Sequence, residues 1–395
     1  MSPPARLLVV DGADASRALL VEALARLGHE VTAVADGAGA LERLARDPVD
    51  LVLLDVHRPA VDGDAVLARI RRDPALAHVP VLVVSADGDP ARVAAWLELG
   101  AADFLARPFD PILLRARVSA CLEAKRLGDA ERRMARALAR ELEVGREIQR
   151  GFLPASLPEW PGCELAAAFE GARQVSGDFY DAFPSADETQ LTLVVGDVCG
   201  KGVGAALFMA LFRSLIRAVA TRAMRSGTTL VGTVDDRLLV ALTTANDYIA
   251  REHGSANMFA TVFAASLNTI TGTVRYVNAG HEPPLVLGAA GGVRARLPPT
   301  GPALGLLPDA PLRMESVRLA LGETLLIATD GVTEARDAAG VFFGEPRLLA
   351  LCEPPTASAE SLVARVREAV HAFAAGSEPA DDVTLLAARR TTLRF

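Results

Sequence analysis

Four aspartates in the second half of the chain stand where a short apolar run meets a glycine or a turn. Asp178 follows Ser176-Gly177, Asp197 follows Gly196 at the end of one run, Asp330 precedes Gly331 at the end of another, and Asp381-Asp382 opens a third. Acids at strand termini can meet at one edge of a sheet, and the glycines beside them let backbone approach a ligand closely. Three or four carboxylates gathered in one place stay ionised only with cations. Magnesium or manganese, held by carboxylates, carbonyls and waters, would serve. For any one of the four alone, a turn or a helix cap is the plainer role, and Asp330-Gly331 also reads as a hairpin signal. In the first half, Asp11 and Asp55 end two further apolar runs, where both could hold one hard cation through oxygen. Asp55 would then accept a phosphoryl group while Ser85 and a cation stabilise the new charge. The bland alternative, a structural pair of rim acids, is equally open.

The elements that must position these residues follow from the apolar pattern. Leu7–Val10, Val31–Val34, Leu51–Leu54, Val81–Val84 and Asp103–Leu105 read as strands, with helical patterns between them such as Arg17–Leu27. Strands alternating with helices imply a doubly wound α/β domain on a parallel five-stranded sheet, with ligands beyond the carboxyl ends of the strands. Asp11, Asp55, Ser85 and Arg107 all fall at that rim. From Ile112 to Phe152 the composition turns to Ala, Arg, Glu and Leu without proline. Leu127, Met134, Leu138, Ile148 and Phe152 make a heptad seam broken at Gly145, which reads either as a solvated linker helix or as a dimeric coiled coil. Pro154, Pro158 and Pro161 end it. Beyond them, Leu191–Val195, Phe259–Ser266, Val274–Val277, Leu285–Leu287, Thr324–Thr329 and Val383–Ala387 read as strands. Gly204–Met224, Leu238–Arg251 and Ala359–Ala374 read as helices, and Thr271-Gly272 as a hairpin turn. The expectation is an α+β layered β-sandwich flanked by helices. The domains expected are 1–122, a helical linker 123–155, and 156–395.

Composition narrows the class. The 395 residues are 51% hydrophobic, with a net charge of −8, which suits two domains and argues against a nucleic-acid-binding face. No uninterrupted apolar stretch approaches the roughly 20 residues of a membrane span, and Met1 to Val10 lacks the pattern of a secretory signal. Four scattered cysteines without a CxxC pair indicate neither zinc nor a disulfide framework. A cytoplasmic protein, free of membrane and nucleic acid, is expected.

Two resemblances sharpen this. The segments LVLLDVHRPAVDG (51–63), VLVVSA (81–86) and GAADFLARPF (100–109) resemble, in order and spacing, the landmarks of two-component receiver domains over about residues 5–122. That resemblance implies a phosphoacceptor at Asp55, a pocket of Asp11, Ser85 and Arg107, a magnesium ion held by Asp11, Asp55 and His57, and a sensor histidine kinase upstream. Two positions depart from the family: Gly12 stands where a second acid is usual, and Arg107 where lysine is. Fold is little affected; metal affinity and phosphorylation are put in doubt, because arginine is bulkier and forked.

The segments REIQRGFLP (146–154), GDVCGKG (196–202), NAGHEPP (278–284), TDGVTEA (329–335) and DDVT (381–384) resemble the SpoIIE-like branch of the type 2C protein phosphatases over about residues 146–390. By resemblance, Asp197 bridges two Mn2+ or Mg2+ ions and the carbonyl of Val198 joins one of them. Asp178 holds the second ion, and Asp330 and Asp381 complete the first, with Asp381 preferred to Asp382. The implied reaction is hydrolysis of phosphoserine or phosphothreonine on a protein by a metal-activated hydroxide, controlled by the receiver. The implied substrate is a phosphorylated anti-sigma-factor antagonist; the coiled-coil reading of the linker would make the assembly a homodimer. Cys199 is expected to pack rather than react, and His281 to shape a turn. The rival reading is a non-catalytic scaffold that binds its phosphoprotein partner without turnover. Diguanylate cyclase chemistry is disfavoured, since Phe179 stands where a second acid would be needed.

Overall fold

Apolar runs of four or five residues have no face to spare for water, so they settle mid-sheet under helices on both sides. The computed structural model describes residues 4–56, 62–185, 190–222, 234–377 and 379–392. It divides into two units, Met1–Leu138 and Ala139–Phe395.

The first unit runs β1 (Arg6–Val10), α1 (Asp14–Arg26), β2 (Glu30–Val34), α2 (Gly37–Arg46), β3 (Leu51–Asp55), α3 (Gly63–Arg72), β4 (Val81–Ser85), α4 (Pro90–Glu98), β5 (Asp103–Ala106) and the first part of α5 (Pro111–Arg150), whose residues from Ala139 on belong to the second unit. The sheet is parallel, in the order β2-β1-β3-β4-β5. β1, β3 and β4 are buried on both faces: Leu8, Val10, Val52 and Leu54 pack toward Leu67, Ile70 and Trp96, while Leu7, Val9, Leu51 and Leu53 pack toward Leu20, Leu24 and Val118. The chain leaves β1 for β2 on one side and reaches β3 on the other. The carboxyl ends of β1 and β3 therefore flank the switch-point crevice, and Asp11 and Asp55 lie there. α5 spans 40 residues. Its Leu127, Met134, Leu138 and Ile148 are all more than half exposed.

The second unit adds β6 (Cys163–Glu170), β7 (Phe179–Pro184), β8 (Leu191–Val198), α6 (Val203–Arg222), α7 (Val234–Glu252), β9 (Ala260–Leu267), β10 (Thr273–Ala279), β11 (Leu285–Leu287), β12 (Val293–Arg296), β13 (Glu315–Arg318), β14 (Thr324–Ala328), α8 (Asp330–Thr333), α9 (Gly344–Cys352), α10 (Ala359–Phe373) and β15 (Val383–Arg390). Two antiparallel sheets, β13-β10-β9-β8-β7 and β12-β11-β14-β15-β6, face each other across Leu193, Phe263, Tyr276, Val286, Leu325 and Leu386. α6 and α7 cover the first sheet through Met209, Phe212, Ile216, Leu242 and Ile249. α9 and α10 cover the second through Leu348, Leu362 and Val366. The expected layered sandwich is the observed architecture.

Several elements differ from the sequence reading for identifiable reasons. β6 is rich in alanine, which carries a helical signal, and becomes a strand through full-length pairing with β15. β12 and β13 are four-residue edge strands with exposed polar residues, so they lack the apolar run that marks a strand. Asp330-Gly331 opens α8 rather than a hairpin. α6 begins at Val203, and the expected helix end at Met224 lies outside the described residues. Within it, Val203–Thr221 has a mean hydropathy of 1.7 and is, among the described helices, the one long and apolar enough to cross a membrane. Its Met209, Phe212 and Ile216 stripe is in the core instead. Asp181 on β7 is 1% exposed and pairs with Arg213 at 2.9 Å and Arg217 at 2.6 Å, tying α6 to the sheet edge. α6 follows directly on the Asp197 loop, so that tie also fixes the loop.

Candidate functional site

The loop before β7 delivers Asp178, and a series of hydrogen bonds sets its path. Ser176 N–H donates to Gln149 Oε1 at 2.9 Å, and Gln149 Nε2 donates back to the Ser176 carbonyl at 2.5 Å. Gln149 is a buried residue of α5, so its amide fastens the end of that helix to this loop. The Ser176 hydroxyl donates to Asp382 Oδ2 at 2.6 Å and accepts from Asp178 N–H at 3.1 Å. Asp382 also accepts from Gly177 N–H at 2.9 Å and Ala172 N–H at 2.7 Å. Its carboxylate is thus spent on holding the loop, which supports choosing Asp381 as the ligand of that adjacent pair. Asp178, 1% exposed, accepts at Oδ2 from the hydroxyls of Thr329 at 2.9 Å and Thr384 at 2.5 Å. These threonines lie immediately before Asp330 and two residues after Asp382.

Close backbone approach accounts for two of the glycines. A Cβ on Gly331 would meet the Asp382 carbonyl at 1.9 Å, and one on Gly177 would meet the Val198 carbonyl at 2.8 Å, with Asp197 Oδ1 at 3.5 Å. Gly200 and Gly202 adopt positive φ, +87° and +83°, in the turn from Asp197 into α6. The ammonium of Lys201 between them is 2.9 Å from Asp381 Oδ2.

The four acids act on one another electrically. Burial first, and then the Asp197 charge, hold the Asp178 carboxyl well above its usual range. Burial and the charges of Asp330, Asp381 and Asp382 push Asp197 up to about 7, against a hydrogen bond from Asp178. Asp330 is raised by burial, then by Asp381, Glu334 and Glu282. Asp178, Asp330 and Asp381 thus all lie near enough to act on the Asp197 carboxyl. Among the described residues, however, no three His, Cys, Asp or Glu side chains are closed around a single cation position. The donor set fits hard divalent ions in kind: it is all oxygen, with surplus negative charge and the Val198 carbonyl beside it.

Gln149, Thr329 and Thr384 enter the site without having been assigned a role from sequence. All lie inside or beside the motifs, but a neutral hydroxyl or amide carries no signal of its own. The His281 backbone N–H donates to Asn278 Oδ1 at 2.7 Å, its Nδ1 lies 3.0 Å from the Thr261 hydroxyl, and burial pushes its ring down to about 4. Cys199 packs, its sulfur accepting from Phe259 N–H at 3.2 Å.

In the first unit, Arg107 Nη2 is 2.6 Å from Asp11 Oδ2 and its Nη1 is 3.1 Å from Asp55 Oδ2. Asp11 also accepts from Ala13 N–H at 2.9 Å and the Ser16 hydroxyl at 2.6 Å. Burial would raise its carboxyl, but these hydrogen bonds and Arg107 hold it below the usual range. The Ser85 hydroxyl accepts from Asp87 N–H at 3.1 Å. His57 lies outside the described residues. The sequence grouping of Asp11, Asp55 and Arg107 is thus a contact in the fold.

Comparison with known proteins gives two family matches. Residues 187–391 match Stage II sporulation protein E (SpoIIE), and residues 7–119 match the response regulator receiver domain. Protein IcfG of Synechocystis sp. is 41% identical over 265 residues, covering 63% of this chain and 41% of IcfG. Phosphoserine phosphatase RsbU of Bacillus subtilis is 26% identical over 251 residues, covering 63% of this chain and 70% of RsbU. The chain thus spans about two fifths of IcfG's length. The PP2C domain of SiaA from Pseudomonas aeruginosa superposes with a TM-score of 0.53 at 20% identity, covering 66% of this chain and 98% of that domain. That is a likeness of fold.

The crowded acids have a measurable consequence in chelator. A carboxyl whose folded pKa is raised contributes stability that is complete below its unfolded pKa, about 4. That contribution is lost as pH rises through the folded value, about 7 for Asp197. Chelated protein should therefore melt at falling temperature as pH rises from about 4.5 to about 7, and Asp197→Asn should flatten the slope. Equal slopes for the two proteins would show that Asp197 is not crowded.

Proposed function

The chain belongs to the SpoIIE family, and on that footing we propose that it is a protein phosphatase acting on phosphoserine or phosphothreonine in a protein, controlled by its N-terminal receiver. The observation that carries the reading is the convergence of Asp178, Asp197, Asp330 and Asp381, with Asp178 gripped by two threonine hydroxyls. Two divalent ions, manganese or magnesium, are assigned to the cluster. Asp197 would serve both, the Val198 carbonyl, Asp330 and Asp381 one of them, and Asp178 the other. When bound, such ions supply an acidified water and neutralise phosphoryl oxygens for in-line displacement.

The chain's own residues do the positioning. Thr329 and Thr384 engage one oxygen of Asp178, Asp382 fixes the loop behind it, and Gln149 fixes that loop to α5. A shift of α5 would be felt at Asp178 through three hydrogen-bonded residues, which is the route assigned to receiver control. The substrate class inferred is a phosphorylated anti-sigma-factor antagonist in a cytoplasmic partner-switching circuit. The likeness to RsbU, itself named a phosphoserine phosphatase, supports that choice. The exposed seam of α5 supports a second copy of the chain as its partner.

Three outcomes are expected. Full-length protein with manganese releases phosphate from a phosphoserine antagonist protein, and Asp197→Asn lowers kcat/KM by roughly a thousandfold or more. Wild type that binds the phosphoprotein yet releases no phosphate would instead establish the scaffold reading. Gln149→Ala raises the manganese concentration for half-maximal activity by about tenfold, as loss of a ligand-orienting partner does, with a near-normal rate at saturation. An unchanged manganese dependence would remove α5 from the site. Sedimentation of the full chain at micromolar concentration reads a dimer, and a monomer there excludes the paired seam.

A further inference from the structure

The receiver's two acids flank the switch point of the parallel sheet, and one side chain spans them. Arg107 places one guanidinium nitrogen 2.6 Å from Asp11 and the other 3.1 Å from Asp55. Asp11 is 0% exposed and Asp55 2%, while Arg107 is 16% exposed, so the pairing is largely shielded from water and salt. The other acceptor positions on Asp11 are not idle. Oδ1 takes the Ala13 N–H, and Oδ2 takes the Ser16 hydroxyl as well as Arg107. The next residue is Gly12, so this loop has no second carboxylate to offer.

A magnesium ion demands near-octahedral oxygen ligands at about 2.1 Å. It would have to draw on Asp11 and Asp55 oxygens that already face a fixed positive charge. A lysine there would be a point charge on a flexible stem and could give way. The planar fork of arginine engages both acids at once, in one geometry. The residues present therefore do not fit a resident divalent ion.

We propose that Arg107 is the receiver pocket's built-in cation. It takes the place between Asp11 and Asp55 that a divalent ion would need, so the domain holds a fixed ion-paired latch that neither binds magnesium nor accepts a phosphoryl group at Asp55. An upstream protein would then act on this domain by contact rather than by marking Asp55. The inference does not depend on the phosphatase reading of the second unit.

The test uses the full chain carrying Asp197→Asn, so that label cannot be lost to the other site, together with radiolabelled acetyl phosphate and magnesium. Acid-labile label is expected to equal that of an added Asp55→Asn control. The double change Gly12→Asp with Arg107→Lys should gain roughly tenfold more. In a Trp160→Phe background, leaving Trp96 as the one indole, magnesium should leave the fluorescence of the Arg107 protein unchanged and alter that of the double variant. Magnesium-dependent label on the Arg107 protein above the Asp55→Asn control overturns the proposal. So does a folded double variant that responds to neither magnesium nor acetyl phosphate, because the block then lies elsewhere than Arg107.

Discussion

Like charges forced into one place are the constraint around which the second unit is arranged. Asp178, Asp197, Asp330 and Asp381 come from four separate stretches, and burial plus mutual repulsion raises three of them above the ordinary carboxylate range. Such a cluster is unfavourable by itself. It persists because the sandwich supplies what each acid needs: hydroxyls for Asp178, backbone amides and a serine for the neighbouring Asp382, and a lysine for Asp381. The strands bring the acids close, and the hydrogen bonds decide which of them remain open to a cation.

That division of labour separates the adjacent pair Asp381-Asp382. Both are acidic and both lie at the start of β15, yet one is buried with its oxygens committed to the 172–177 loop and the other is partly exposed beside Lys201. Ser176 belongs to the same scheme. Its hydroxyl links the Asp382 carboxylate to the Asp178 amide, an attachment that a glycine there could not make. Gln149 extends the network by one residue into α5, so a helix with an exposed apolar seam ends on the support of a candidate ligand.

The two units solve one electrostatic problem in opposite ways. In the second, surplus carboxylates are left to be satisfied by hard cations. In the first, Asp11 and Asp55 share a guanidinium that is already part of the chain. The difference comes from two positions, Gly12 and Arg107, on a sheet whose fold is otherwise that of the receiver domain it matches. Strand order and burial constrain the fold, while the rim residues are free to change the chemistry.

Much of this was legible along the chain. The parallel sheet was readable because its central strands are unbroken apolar runs, and the four acidic landmarks because each lies at a strand end, three of them against a glycine and Asp381 beside a second acid. β6, β12 and β13 were not legible, since alanine and short polar edges become strands only when a neighbour supplies the pairing. The sequence by itself determined which acids are present, that Gly12 removes one, and that residue 107 is a forked cation. The tertiary structure alone decided that Asp382 braces while Asp381 stays accessible, that Thr329, Thr384 and Gln149 serve the site, and that Arg107 spans both receiver acids. The physical reason is that a hydrogen bond depends on distance and direction between groups up to about two hundred residues apart, such as Ser176 and Asp382.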